Sequence, residues 1–412
     1  MRISSVTMYE QSTASINRQQ NDFLKISQQI ASGRRVVNPS DDPQAASRAV
    51  KVDQSKSITQ QYEDSRISAR NSLSQTESIL NSISDAIASA KTRLIQASSD
   101  TLSDVDRESI ASDLKGIYET LIGQANATDG NGRHLFGGYA DNVPPFVQNS
   151  EGNIVYQGDE NARQQRVDSS RLMPVTENGV SIFQSAPSGA GYNAEAKVDN
   201  AGSVIISGPQ VANINDPDYG DSFRVTFSEN AGAITYTLEQ HGDTGWQAVT
   251  GSENQPYDAN GEELSFGGLN LSLKGTAEDG DEILVAKPGS DQRPADLFRT
   301  MEAAIRVLGE PAETSAEKAA LRNTLNTSMR DLDNALDNVL TVRASAGARL
   351  NELDVIDAVG NNRMVNYEQT LSDLVDLDYV EAISEYSLRQ VGLQASQRAF
   401  VDIKGMSLFD YM

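Results

Sequence analysis

The chain has 412 residues, no cysteine, two histidines and a formal net charge of −24. Without cysteine there is no disulfide, no thiolate metal site and no thiol nucleophile. A surplus of carboxylates repels a phosphate backbone, which removes nucleic acid as an expected partner. No run reaches the ~18–20 apolar residues of a membrane span, so no membrane partner is expected either.

The charge is uneven. Residues 1–140 hold 15 Lys and Arg against 16 Asp and Glu, residues 141–290 hold 7 against 22, and residues 291–412 hold 12 against 20. The strongly acidic middle differs in kind from the ends, the first sign of a domain boundary.

The start, MRISSVTMYEQSTASI, lacks the apolar core of a cleaved secretory leader, so export would need an uncleaved signal and a dedicated machine. Tyr9, Ser12, Ile16, Gln19, Phe23, Ile26 and Ile30 then step alternately by three and four, a helical stripe thinned by polar residues. Gly33 is expected to end this helix. Asn38-Pro39-Ser40-Asp41-Asp42-Pro43 reads as a loop and a helix start, because the prolines interrupt a helix and the carboxylates suit its positive end. The next helix carries a denser stripe of Leu73, Thr76, Leu80, Ile83, Ile87, Ala90 and Leu94. It stops at Ser98-Ser99-Asp100. Ser103 and Asp106 have capping-box spacing ahead of a stripe of Ile110, Leu114, Ile117 and Leu121. After the turn-forming Asp129-Gly130-Asn131-Gly132, the segment Arg133–Tyr139 is expected to be a β-hairpin or strand beside the helices.

Residues 145–290 read as an inserted, mostly antiparallel β domain. Phe223, Val225 and Phe227 alternate with polar residues, as do Ile234, Tyr236 and Leu238, and the loop with Asn230 and Gly232 joins them as a hairpin. Further strands are expected over 153–157, 203–207, 264–273 and 282–286. Helical spacing returns after Pro294 with Leu297, Met301, Ala304 and Leu308, ending at Gly309. It continues through Met329, Leu332, Leu336, Val339, Arg343, Ala346, Leu350 and Leu353. Gly360-Asn361-Asn362 is expected to bend or break the chain. The last helix repeats the thin stripe with Ile383, Tyr386, Gln390, Leu393, Gln397 and Phe400.

This order predicts an elongated α+β molecule in three parts. Residues 1–38 and 366–412 form terminal core helices for assembly; 39–144 and 291–365 form a bundle of long helices with a β-hairpin; and 145–290 form the β-rich insert. Two thin stripes suggest each other as partners. The expected contacts set Tyr9, Ile16, Phe23, Ile26 and Ile30 against Ile383, Tyr386, Gln390, Leu393, Gln397 and Phe400, first within one chain and then between neighbours. Stripes this diluted bury little area, so both ends are expected to order only on assembly.

Little in the chain is equipped for chemistry. Two histidines cannot supply a histidine metal trio, and H-E-x-x-H, G-x-S-x-G and P-loop patterns are absent from the sequence. No enzyme activity, cofactor or metal is expected. His134 beside Leu135 and Phe136 reads as a packing residue. Asp216, Asp218 and Asp221, and Asp279, Asp281 and Glu282, do not fit EF-hand spacing and sit where turns need such residues.

Four separated motifs resemble the bacterial flagellin family, and within it the members that join hook to filament. They are Ser32-Gly33-Arg34-Arg35-Val36 with Asn38-Pro39-Ser40-Asp41-Asp42-Pro43 and Ala45-Ala46; Gly132-Arg133-His134-Leu135-Phe136-Gly137-Gly138-Tyr139; Arg343–Leu353; and Ser407-Leu408-Phe409-Asp410-Tyr411-Met412. The resemblance covers about 1–140 and 291–412. It implies a structural protein exported unfolded by the flagellar type III apparatus, its C-terminal helix held by a cytoplasmic chaperone. It implies assembly as a ring of copies at the hook-filament junction of the secreted flagellum, with the first hook-associated protein on one side and flagellin on the other. The alternatives are a filament subunit of the same fold, or a secreted adhesin using the acidic insert.

Overall fold

The computed structural model describes residues 5–99 and 101–405. The closing motif Ser407–Met412 therefore lies outside the described residues. Helix α1 (Ser5–Ser32) ends one residue before Gly33. Helix α2 (Pro43–Ala97) begins on a proline, tolerated in a first helical turn, and the Ala45 N–H donates to Asp42 Oδ1 at 3.0 Å. Ser103 Oγ accepts the Asp106 N–H while the Asp106 carboxylate accepts the Ser103 N–H, which closes the expected box at the start of α3 (Asp104–Ala125). Strands β1 (Phe146–Gln148) and β2 (Ile154–Tyr156) pair, as do β3 (Gln164–Asp168) and β4 (Arg171–Pro174), and the short α4 (Gly179–Phe183) follows.

Next come β5 (Asn193–Ala196), β6 (Ile205–Val211), β7 (Phe223–Asn230), β8 (Ala233–Gly242), β9 (Gly245–Ala248), β10 (Gln255–Pro256), β11 (Glu262–Phe266), β12 (Leu269–Lys274) and β13 (Glu282–Ala286). The chain closes with α5 (Leu297–Gly309), α6 (Ser315–Val375) and α7 (Tyr379–Gly405). This is the mixed α+β class expected. The contacts divide it into two compact units, Ile67–Leu353 and the residues before and after it, to both of which α2 and α6 contribute.

In the unit Ile67–Leu353 the stripe from Leu73 to Leu94 is buried throughout, and its Leu80–Leu94 part faces Leu114 and Leu121 of α3, Met301 and Leu308 of α5, and Leu332 of α6. Phe136, Phe146, Phe183 and Phe298 close the same core, with ring centroids 5.0–5.9 Å apart. Phe146, Ile154, Ile182 and Phe183 thus share the helical core, although they fall within the residues expected to form the insert. The insert's own core runs from Tyr192 to Val285. There β10-β8-β7-β13-β5 form one antiparallel sheet, with β9 on β8, and β11-β12-β6 form another. The β7–β8 hairpin pairs Phe223 with Gln240 through to Asn230 with Ala233. Phe223 of the first sheet meets Phe266 of the second at 4.9 Å. Residues 264–273, expected as one strand, are two strands folded back at Gly267-Gly268.

Two other expectations are corrected. Arg133–Tyr139 is no hairpin: a single bridge, Thr128 to His134, replaces a ladder. Phe136 turns into the core, and the chain then passes so close to Asp159 that a Cβ on Gly138 would stand 2.3 Å from its carbonyl oxygen, at a φ of +64°. Gly360-Asn361-Asn362 does not break the helix, since α6 runs on to Val375. Gly360 is there for space: its missing side chain admits Arg66, whose Nη2 would lie 2.7 Å from an added Cβ and whose guanidinium pairs with Asp357.

A buried cation ties the insert down. Arg293 is 1% exposed and meets Asp331 of α6 with both terminal nitrogens, at 2.9 and 2.5 Å, and Glu195 of β5 at 2.9 Å. Burial alone would lower its pKa, but the Asp331 and Glu195 carboxylates outweigh that and raise it. Asn193 also donates to Asp331, at 3.0 Å. Removing the cation leaves two carboxylates facing each other, so Arg293→Ala should cost about 3–5 kcal/mol in equilibrium unfolding of the full chain.

The carboxylates at helix starts are held below their ordinary values. The chief causes are the Ala45 N–H for Asp42, the Ser103 hydroxyl for Asp106 and the Thr314 N–H for Glu317. A lowered native pKa stabilises the fold fully above the unfolded value, 3.8 for Asp and 4.5 for Glu, and that gain is lost as pH falls through the native value. The thermal midpoint should therefore fall below about pH 4 on this account, and Asp42→Asn with Glu317→Gln should flatten that acid limb.

Candidate assembly surface of the terminal helices

In the unit made of the two ends of the chain, α1 and α7 run antiparallel. Tyr9 stacks near Phe400 with centroids 5.3 Å apart, and Phe23 meets Tyr386 at 4.9 Å. Between these ring pairs Arg389 reaches Asp22 at 3.0 Å. Gly392 lets Gln19 approach to within 3.3 Å of where a Cβ would sit.

The Ser-Gly-Arg-Arg-Val segment fixes the entry of α7. The Arg35 N–H donates to the Val375 carbonyl at 2.8 Å, the Arg35 guanidinium to the Leu374 carbonyl at 2.7 Å, and the Leu377 N–H to the Gly33 carbonyl at 3.0 Å. Asp378 then caps α7, accepting the Val380 N–H at 2.9 Å. On the other side of the loop Asp41 accepts the Asn38 N–H and pairs with Lys25 at 3.1 Å, which together hold its carboxyl below the usual Asp range.

The structure brings most of the expected residues together. Ile26 is buried; Ile16, Ile30, Tyr386, Leu393 and Phe400 are half-buried, as is Phe23. Tyr9 keeps half its surface while contacting Phe400. Ile383, Gln390 and Gln397 are exposed. The face that meets α1 is Ala382, Tyr386, Arg389, Leu393, Ser396 and Phe400, which also alternates steps of four and three and shares three members with the expected stripe. Spacing alone cannot separate two such registers. The small Ala382, only 2% exposed, and the Asp22–Arg389 pair decide it, and the opposite charges of Asp22 and Arg389 were the readable signal. Among the described residues, α1 and α7 are helical and paired within this chain. Ala382 adds a contact that the stripe left out.

A second apolar surface lies on α7 away from α1. Val380 is 79% exposed, Val391 65% and Ile383 54%, with Leu388 and Val401 also exposed. A helix that pairs on one side normally keeps polar residues on the other; α7 instead leaves Val380 and Val391 exposed on the side opposite α1.

The remaining candidates carry no chemistry. Among the described residues, no group of His, Asp or Glu is placed to hold a metal ion, and no helix is long and apolar enough to cross a membrane. Asp281 accepts the N–H groups of Ala201, Gly202 and Glu278, and Asp216 accepts that of Asp218, so these carboxylates build turns. His134 Nδ1 lies 2.8 Å from the Asn126 carbonyl, and His241 packs against Trp246.

Residues 3–141 match the bacterial flagellin N-terminal helical region. The chain is 32% identical over 410 residues, 99% of each chain, to flagellar hook-associated protein 3 of Escherichia coli strain K12. It is similar to flagellar hook-associated protein 3 of Legionella pneumophila, with a TM-score of 0.67 and 26% identity over 78% of this chain and 98% of that one. It is also similar to FlgL of Xanthomonas campestris, with a TM-score of 0.64 and 28% identity over 78% of this chain and 99% of that one.

If the Phe23–Tyr386 contact holds the pair, Tyr386→Ala should open it. Hydrogen exchange should then speed at least tenfold in both α1 and α7, while the Ile67–Leu353 unit keeps its protection.

Proposed function

The chain belongs to the flagellar hook-associated protein 3 family of bacterial flagellins, and from that premise we propose that copies of it form a ring joining hook to filament. It is a structural protein of the flagellum and not an enzyme. The observation that carries the reading is the two-sided α7. One side is used up by α1 of the same chain, and the other, Val380, Ile383 and Val391, is open. Burying each such side chain contributes about 2 kcal/mol, so a few of them can offset the cost of fixing a subunit in place.

In this reading the α1–α7 pairs of neighbouring copies cover that face. Gln390 and Gln397, exposed and flanking the seam, supply hydrogen bonds to the next copy. The ring contacts the first hook-associated protein on one side and flagellin on the other. The same open face would associate prematurely in the cytoplasm. That is a physical reason for export through the flagellar type III apparatus with a chaperone shielding the C-terminal helix.

The test is Val380→Asp combined with Val391→Asp. Both positions are exposed, so the variant chain should melt within a few degrees of the parent. Cells carrying it should shed their filaments and lose motility. Normally attached filaments would sink the proposal. Counting copies on intact flagella separates the readings of the fold: a single ring's complement fits a junction, whereas a number that grows with filament length means a filament subunit.

A further inference from the structure

Against a chain with a net charge of −24, one cleft has the opposite sign. It is an open groove of about 720 Å³ between the start of α3 and the first turns of α6. Arg107, Lys318 and Arg322 line it, and Asp104, the carboxylate among its described lining residues, is engaged by Arg107. Arg107 is 7% exposed, and its Nε has no acceptor. Lys318 and Arg322 stand one turn apart and make no ion pair or side-chain hydrogen bond among the described residues. Leu321 and Ile205 add an apolar wall. A buried guanidinium with an unmet donor beside two free cations is a site for carboxylates. The apolar wall asks in addition for an aliphatic side chain, which a bare inorganic anion lacks.

The chain itself presents such a ligand. Ile214 is 67% exposed in the loop between β6 and β7, with Asp216 and Asp218 two and four residues on. Residues 198–223 contain no Lys or Arg. Of the other protruding aliphatic groups of this region, Val198 adjoins Lys197 and Leu172 adjoins Arg171, and each cation would be repelled, while Val211 is less exposed, at 48%, and belongs to strand β6. The loop is already shaped, since Asp216 accepts the Asp218 N–H at 3.1 Å, and the Asp218 carboxylate has no partner among the described residues. From Lys318 to Asn326 the α6 edge of the groove is about 12 Å long.

We infer that the Arg107–Lys318–Arg322 cleft receives the Ile214–Asp218 loop of a second copy, with Asp216 and Asp218 on the cations and Ile214 against Leu321 and Ile205. The inference rests on the reading that copies assemble side by side, but its test does not. A fluorescent peptide of residues 211–219 is titrated into the purified full-length chain. Saturable binding is expected. Lys318→Glu with Arg322→Glu should weaken it at least tenfold, as should Asp216→Asn with Asp218→Asn in the peptide. Raising salt from about 50 to 300 mM should weaken it several-fold. Ile214→Ala in the peptide should weaken it by about five-fold. No saturable binding at millimolar peptide, or unchanged affinity in the double-Glu variant, overturns the inference and leaves the ring proposal standing. Indifference to Ile214→Ala together with full competition by inorganic phosphate would mean a bare anion site, and would equally overturn it. Melting curves of the variants, whose changes are on exposed residues, check that the fold is intact.

Discussion

In residues 67–353 everything depends on one apolar seam, the stripe that α2 lays down from Leu73 to Leu94. A long helix can bury only what its partners cover. Here α3, α5 and α6 each bring a matching stripe, and the product is a shared core rather than a set of pairs. Phe136, Phe146 and Phe183 then close that core over Phe298, which draws the segments around Phe146 and Phe183 onto the helices. Only from Tyr192 does the chain start a second core, and the two β sheets form around it.

The parts that were legible in the sequence are those where burial imposes a period. The stripes of α2, α3 and α5 needed no tertiary information, because each has one partner-facing side and solvent on the rest. The β7–β8 hairpin was legible for the same reason, with Phe223, Val225 and Phe227 alternating against polar neighbours. Strands whose residues are chosen by neighbours were not. Gln164-Gln165-Arg166 has no strand pattern and pairs because β4 lies beside it. Glycine was the other blind spot. Gly360 looked like a break, but a glycine in a sequence does not say whether it supplies a dihedral angle or an absence of volume; Arg66 makes it the second.

The terminal helices show a subtler limit. In α7 two three-four registers share Tyr386, Leu393 and Phe400, so half of the stripe was certain to be right and half undecided. The residues that settle it, Ala382 and Arg389, are legible only beside α1, where one is too small to keep the helices apart and the other finds Asp22. Choosing this register leaves Ile383 with Val380 and Val391 on the open side. The polar thinning of the stripe is thus less a weak core than a helix shared between two surfaces.

The burial of Arg293 sets how the protein responds to its surroundings. A flagellar component works outside the cell, where ionic strength varies widely. Mobile ions screen exposed charges over about 8 Å at physiological salt, but they do not enter a site that water barely reaches. The tie among Arg293, Asp331 and Glu195 should therefore hold the insert on its helices alike in fresh and in saline water, while exposed pairs such as Asp22–Arg389 weaken and recover with the medium. Within one chain, the charges divide into those that keep the molecule's geometry constant and those that let its outer contacts respond to the environment.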